Sequence, residues 1–256
     1  MNKLREKLKR GETLIGIQSF LGSKEILEIL GNMGYDFVFI CAEHTPYGTD
    51  KLYDLVHACQ NAGTPALVRL PEYDVTFTKK TLDMGTKAVL FPMVKSAEEA
   101  KQCMDICLYP PYGKRGFGPM SAVKWGIESE KEFVEHNNDD LVRMIQIEHI
   151  DAVNSLEEIV KNKYIDAYIF GPNDLASSMG HICDMCHEEV RREIKRAVKI
   201  LKDNNCVFGV SLGEVDLNKI NWWKNLGATI FSLGSDFMFI RETAKSYKKE
   251  LFDNLK

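Results

Sequence analysis

The chain has 256 residues, 45% of them hydrophobic and 27% charged, with a formal net charge of −4. That length supports a large core without disulfides or a structural metal. Lys and Arg are scattered among Asp and Glu, which excludes an electrostatic footprint for nucleic acid, and no run of roughly 18 apolar residues exists to span a membrane.

The basic run of Lys3, Arg5, Lys7, Lys9 and Arg10 alternates with Leu and Glu, and reads as the solvated face of a short leading helix rather than a targeting peptide. Residues 13–20 (TLIGIQSF) are a predicted first strand, and Ser23 caps a helix to residue 33 that Gly34 closes. Residues 35–40 (YDFVFI) form a second strand, with Glu43 and His44 in the loop behind it. A helix follows over 49–61, a third strand over 65–70 and a helix over 74–84. A fourth strand spans 87–93 and its helix 97–107. Residues 108–126 hold Pro110, Pro111, Pro119, Gly113, Gly116, Gly118 and Gly126, too many for regular structure, and are expected to form a lid or interface loop. Strand five spans 141–147 and its helix 152–162; strand six, over 165–170, runs into Gly171-Pro-Asn-Asp174. A strongly periodic helix over 187–204, strand seven over 206–211 and a helix through 225 come next. Strand eight covers 228–233, and a last helix after Gly234 runs to the C-terminus.

Eight strand–helix pairs predict an α/β protein with a single (β/α)8 TIM barrel, residues 1–256 forming one domain. An open doubly wound sheet is disfavoured, because no GxGxxG turn follows the first strand and no GxxxxGK[ST] run is present. Seven cysteines without a secretion signal predict a reducing cytoplasm. Cys183 and Cys186 stand between His181 and His187 (HICDMCH), a spacing compatible with Zn²⁺. With all four groups on one loop and no second ligand pair elsewhere, the simpler expectation is a surface loop with incidental thiols.

In barrel enzymes the chemistry gathers at the C-terminal ends of the strands. Glu43, His44, Arg69, Gln146, Glu148 and Asp174 all fall there, converging from distant parts of the chain. Two carboxylates with an amide make an oxygen-rich set suited to Mg²⁺ or Mn²⁺. Arg69 is a fixed cation able to hold a carboxylate or enolate oxygen, and His44 is the residue type suited to general acid–base work near neutral pH. Each also has a plainer reading: an isolated Arg or His at a strand end is often part of a structural ion pair. No lysine ends strands five or six, which disfavours a Schiff base.

The stretches Ile40-Cys-Ala-Glu-His44, Val68-Arg69, Leu82-Asp-Met-Gly85, Phe91-Pro-Met-Val94, Tyr109-Pro-Pro-Tyr-Gly-Lys-Arg-Gly116, Ile145-Gln-Ile-Glu148 and Phe170-Gly-Pro-Asn-Asp-Leu175 resemble, in order, the HpcH/HpaI family of class II pyruvate aldolases. The resemblance implies aldol cleavage of a 4-hydroxy-2-oxo acid to pyruvate and an aldehyde. It implies a divalent cation (Mg²⁺ or Mn²⁺, with Co²⁺ a further candidate) on Glu148 and Asp174, and contacts from Gln146 and Asn173 to the pyruvate moiety. Arg69 is implied to stabilise the transition state, His44 to be the base and Asp83 to raise that base's strength. Homo-oligomers, commonly hexamers with exchanged C-terminal helices, are implied too. The chain departs from the family where Cys41-Ala42 replaces an aspartate-containing pair, and in Arg115-Gly-Phe-Gly-Pro119. Two alternatives stand beside this reading. One is a citrate-lyase-β or malyl-CoA type lyase, whose CoA groove would draw on Lys114 and Arg115. The other is a non-catalytic sugar-acid-binding barrel.

Overall fold

A computed structural model describes residues 2–255, leaving Met1 and Lys256 outside the described residues. Eight parallel strands close on themselves in sequence order: β1 (Leu14–Ser19), β2 (Phe37–Cys41), β3 (Ala66–Arg69), β4 (Ala88–Phe91), β5 (Val142–Ile147), β6 (Ala167–Phe170), β7 (Phe208–Leu212) and β8 (Ile230–Ser235). β1 pairs with β8 to complete the ring, so no edge is left to template aggregation. The expected (β/α)8 barrel is therefore the fold.

Alternation along the strands sorts the side chains into two cores. Val38, Ile40, Val68, Val89, Ile145, Phe170 and Val210 face outward and pack with the surrounding helices. Leu14, Phe37, Phe39, Leu67, Ala88, Leu90, Val142, Met144, Ala167, Ile169 and Ile230 fill the inside. The interior is thus a packed core and not a channel. Gly16 is required at its place because a Cβ there would lie 2.1 Å from the Phe37 ring, which fills the space instead.

The helices around the barrel mostly fall where expected. α1 (Lys3–Lys9) leads; α2 (Lys24–Gly31) is capped by the Ser23 side chain. α3 (Thr49–Asn61), α4 (Val75–Asp83) and α5 (Ala97–Asp105) follow. α1 does more than present a solvated face. Leu4 and Leu8 join the interior core and plug the barrel's N-terminal end, while Arg5 pairs with Asp166 at 2.8 Å and Lys7 with Asp36.

Three features differ from expectation. The segment before β5 contains α6 (Glu130–Asp140), whose only buried residue is Asn137; without an apolar stripe it gave no periodic signal, although Ser129 caps it on Glu132. The helix expected over 152–162 is two short pieces, α7 (Ile150–Asn154) and α8 (Leu156–Ile159), broken at Ser155, whose φ/ψ of −96°/1° is not helical. A helix of about two turns, α9 (Pro172–Ser178), starts directly behind β6, with Pro172 in the first turn, where its missing N–H costs nothing. α10 (Glu188–Asp203), α11 (Leu217–Leu226) and α12 (Asp236–Leu255) complete the ring. Residues 108–126 form an irregular loop with a 3₁₀ segment over Ser121–Gly126.

Candidate active site

The C-terminal ends of the strands carry a polar layer above the apolar interior. Gln18 on β1, Arg69 on β3, Gln146 on β5 and Ser232 on β8 are all buried. Gln18 donates from Nε2 to the carbonyls of Leu212 and Ser232, tying β1 to the adjacent β8 and to β7 beyond it.

Arg69 is the best-fixed cation. Its side chain is 8% exposed, its Nη1 lies 3.0 Å from Glu43 Oε2, and its guanidinium sits 5.4 Å from the centre of the Phe39 ring beneath it. The Glu43 contact is a charge pair without hydrogen-bond alignment, for Glu43 Oε2 and Arg69 Nε both lack a hydrogen-bond partner among the described residues. Cys41 completes the arginine's surroundings: its Sγ accepts from Arg69 Nη2 at 3.1 Å and from the His44 backbone N–H at 3.3 Å. One buried thiol therefore links the arginine to the loop that carries the histidine. His44 itself is 58% exposed and stands 3.6 Å from Glu43 Oε2, at the open mouth where a substrate proton can be reached.

Glu148, 1% exposed, sits just beyond β5. Met93 holds it by donating its backbone N–H to Glu148 Oε1 at 2.7 Å, and adopts φ of 52°, an uncommon conformation for a residue with a side chain. Gln146 Nε2 donates to the other carboxylate oxygen. Burial pushes the Glu148 carboxyl up to about 7; the Met93 N–H opposes the shift, and the charges of Glu43 and Asp174 add to it. Burial also raises Glu43, against the pull of Arg69 and His44 and with the push of Asp174 and Glu72. Gly171 gives the carboxylate its room, since a Cβ there would lie 2.5 Å from Gln146 Nε2 and 2.6 Å from Glu148 Oε2.

Asn173 and Asp174, in the first turn of α9, are exposed on the rim and line a cavity of about 570 Å³ with Ser177, Met185 and Leu212. The fold thus gathers His44, Arg69, Gln146, Glu148, Asn173 and Asp174 at one mouth. Asp83 stands apart: at the end of α4 it is bound by Arg115 Nη2 at 2.8 Å, and no contact with His44 is formed among the described residues of the chain. Burial raises the Asp83 carboxyl against that arginine's pull.

Sequence reasoning placed Glu43 at the strand ends without a specific role, marked Cys41 only as a departure from the family and gave Met93 no role. A carboxylate beside His44 was visible, but its pairing with Arg69 depends on the β2–β3 register, in which Cys41 lies opposite Arg69. Met93 acts through its backbone, which leaves no chemical trace in the residue type.

A family model for HpcH/HpaI aldolase/citrate lyase matches residues 16–243. The chain belongs to the HpcH/HpaI family. It is 27% identical over 246 residues to the hydroxypyruvate/pyruvate aldolase of Roseobacter denitrificans, covering 96% of this chain and 95% of that one. It is 31% identical over 242 residues to the 2-keto-3-deoxy-L-rhamnonate aldolase of Escherichia coli, covering 93% and 88%. The crystal structure of an HpcH/HpaI aldolase from Desulfitobacterium hafniense superimposes with a TM-score of 0.90 at 29% identity, covering 98% of this chain and 97% of that one.

Proposed function

We propose that the chain, acting as one domain over residues 1–256, is a divalent-metal-dependent pyruvate aldolase that cleaves a 4-hydroxy-2-oxo acid into pyruvate and an aldehyde. The observation that carries this reading is the buried Glu148, held in place by Met93 and Gln146 beneath two further carboxylates, with Arg69 fixed alongside.

The residues fit a metal. Three acidic groups burden one another, and only Arg69 is a fixed cation among them. Gln146 Oε1 is buried with no hydrogen-bond partner among the described residues. The available donors are oxygens, which suits Mg²⁺ or Mn²⁺, with Co²⁺ a further candidate, over an ion preferring thiolate. Glu148 and Asp174 would hold the cation, which when bound would polarise the carboxylate and 2-oxo oxygens of the substrate as a Lewis acid.

The chain's own groups supply the rest. His44, open to the mouth, takes the proton from the substrate's C4 hydroxyl. The C3–C4 bond then breaks, its electron pair passing to C3 as the C4–O bond becomes the aldehyde carbonyl. Negative charge develops on the pyruvate enolate, and the Arg69 guanidinium, already oriented by Glu43 and Cys41, stabilises it without reorganising. Gln146 and Asn173 orient the pyruvate portion. A proton delivered to C3 yields pyruvate.

The CoA-lyase alternative loses a cation it would need. Arg115 is buried, bound to Asp83 and Asn137 and 4.5 Å from the Tyr109 ring centre. The exposed Phe237, Ile240, Tyr247, Leu251 and Phe252 on α12 support a homo-oligomer. The free thiols of all seven cysteines support a reducing cytoplasm. No described helix is long and apolar enough to cross a membrane.

The test is pyruvate release from a generic 4-hydroxy-2-oxo acid with Mg²⁺ or Mn²⁺. Release that stops with chelator and in Glu148→Gln is expected; folded protein that releases none with either ion would overturn the reading.

A further inference from the structure

The loop between α9 and α10 holds a second cluster of metal-ligand chemistry, separate from Glu148 and Asp174. The imidazoles of His181 and His187 stack with centroids 3.6 Å apart and planes 16° from parallel. His181 Nε2 lies 2.9 Å from Glu189 Oε2. One ligand atom from each of His181, His187 and Glu189 falls within 4.8 Å of the others, the one such triad among the described residues. Ligand atoms on a tetrahedral Zn²⁺ stand roughly 3.3 Å apart, given bonds of about 2.0 to 2.1 Å, so the stacked rings must turn out of parallel for their lone pairs to converge on an ion.

We propose that His181, His187 and Glu189 form a site for Zn²⁺ or a neighbouring first-row ion, distinct from the cation site of the aldolase reaction. Two imidazole nitrogens and one carboxylate suit such an ion and disfavour Mg²⁺, whose preference is for oxygen. The three protein ligands leave a fourth position for water, as in sites that are not closed by four side chains.

The backbone holds the ligands in place without the ion. His181 N–H donates to the Ala176 carbonyl at 2.8 Å. His187 caps α10, its Nδ1 accepting from the Glu189 N–H at 3.3 Å. A neutral ring has a single lone pair, so an ion on His187 takes either Nδ1 in place of that bond or Nε2 after a change of tautomer. The Glu189 carboxyl is held below its ordinary range, first by its hydrogen bond with His181.

The ligand set differs from the one the HICDMCH spacing suggests. Cys183 and Cys186 are exposed and outside the triad, and a carboxylate from the first turn of α10 takes the place of the thiols. The ligated loop also carries Ile182, Cys183 and Met185, which line the same cavity as Asn173 and Asp174. An ion here would fasten the cavity wall that faces the aldehyde-producing site, joining the end of α9 to the start of α10.

The experiment removes the first site to expose the second. The full chain carrying Glu148→Gln and Asp174→Asn is dialysed against Zn²⁺ at neutral pH with excess Mg²⁺, and bound zinc is measured by elemental analysis. One ion per chain is expected, falling to about a tenth or less when His181→Ala or Glu189→Gln is added. His187→Asn, which keeps an acceptor at the helix cap, is expected to lose zinc with its helix content unchanged by circular dichroism. Cys183→Ser with Cys186→Ser is expected to retain it. No zinc retained by the parent variant, retention unaffected by the His181, His187 and Glu189 changes, or loss on replacing the thiols alone would each overturn the proposal.

Discussion

The two ends of the same barrel are built on opposite principles. At the N-terminal end, Leu14, Phe37, Leu67, Ala88, Val142, Ala167 and Ile230 are closed over by Leu4 and Leu8 of α1, an apolar core with Asn2, Arg5, Arg143 and Asp166 around it. At the C-terminal end the strands present Gln18, Cys41, Arg69, Gln146 and Ser232, and several polar atoms there, among them Arg69 Nε, Gln146 Oε1 and Ser232 Oγ, have no hydrogen-bond partner among the described residues. A fold selected only for stability would fill both ends alike. Buried groups left short of partners cost stability, and those at the mouth mark where the chain gives up stability for chemistry.

Substitutions at the two ends should therefore separate stability from turnover. The largest effect belongs to the polar end: Glu148→Gln is expected to lower kcat/KM by about 10³-fold, about 4 kcal/mol of barrier, in an otherwise folded protein. Steady-state pyruvate release measures it, and a loss below about tenfold would mean that Glu148 is not central. At the apolar end, Phe37→Ala should cost about 3 kcal/mol of stability in denaturant unfolding, while turnover per folded molecule changes little. Equal damage to turnover would erase the contrast between the ends.

A smaller effect sharpens the comparison through pH. In metal-free protein the Glu148 carboxyl sits at about 7, above its unfolded value, so the folded chain binds the extra proton. Stability from this group is complete below its unfolded pKa and falls as pH rises toward and through about 7. Metal-free Glu148→Gln should then unfold at higher denaturant than the parent above that range, by an order of 2 kcal/mol, with the gap closing in acid. A gap that widened in acid would reverse the sign and contradict the burial argument. The smallest effect concerns Cys41. Cys41→Ala removes the acceptor for Arg69 Nη2 and the His44 N–H, and should lower kcat/KM about tenfold, with Cys41→Ser recovering part of it as a hydrogen-bond acceptor. Equal activity in all three would make the thiol a packing group only.

The same contrast explains what could be read from the sequence. Strands and most helices follow from hydrophobic period and capping residues, and once the barrel is drawn, His44, Arg69, Gln146, Glu148 and Asp174 fall at strand ends by position alone. What depends on pairing across the barrel was not legible. The Cys41–Arg69 contact needs the β2–β3 register, and the Met93–Glu148 bond uses a main-chain N–H. The bond from Arg115 to Asp83 brings a long loop back onto α4, and nothing in the local sequence of either segment announces it. α6 escaped because a helix that buries only Asn137 has no apolar stripe.

The most direct test of the central claim, that the polar end generates a pyruvate enolate, is deuterium uptake into the pyruvate methyl group in heavy water, followed by NMR with Mg²⁺ or Mn²⁺ and no aldehyde present. The account predicts exchange in the parent chain and in Phe37→Ala, and its loss with chelator, in Glu148→Gln and in Arg69→Met. A folded, metal-supplied parent chain that leaves the methyl protons in place, or exchange that survives in Glu148→Gln, would contradict it.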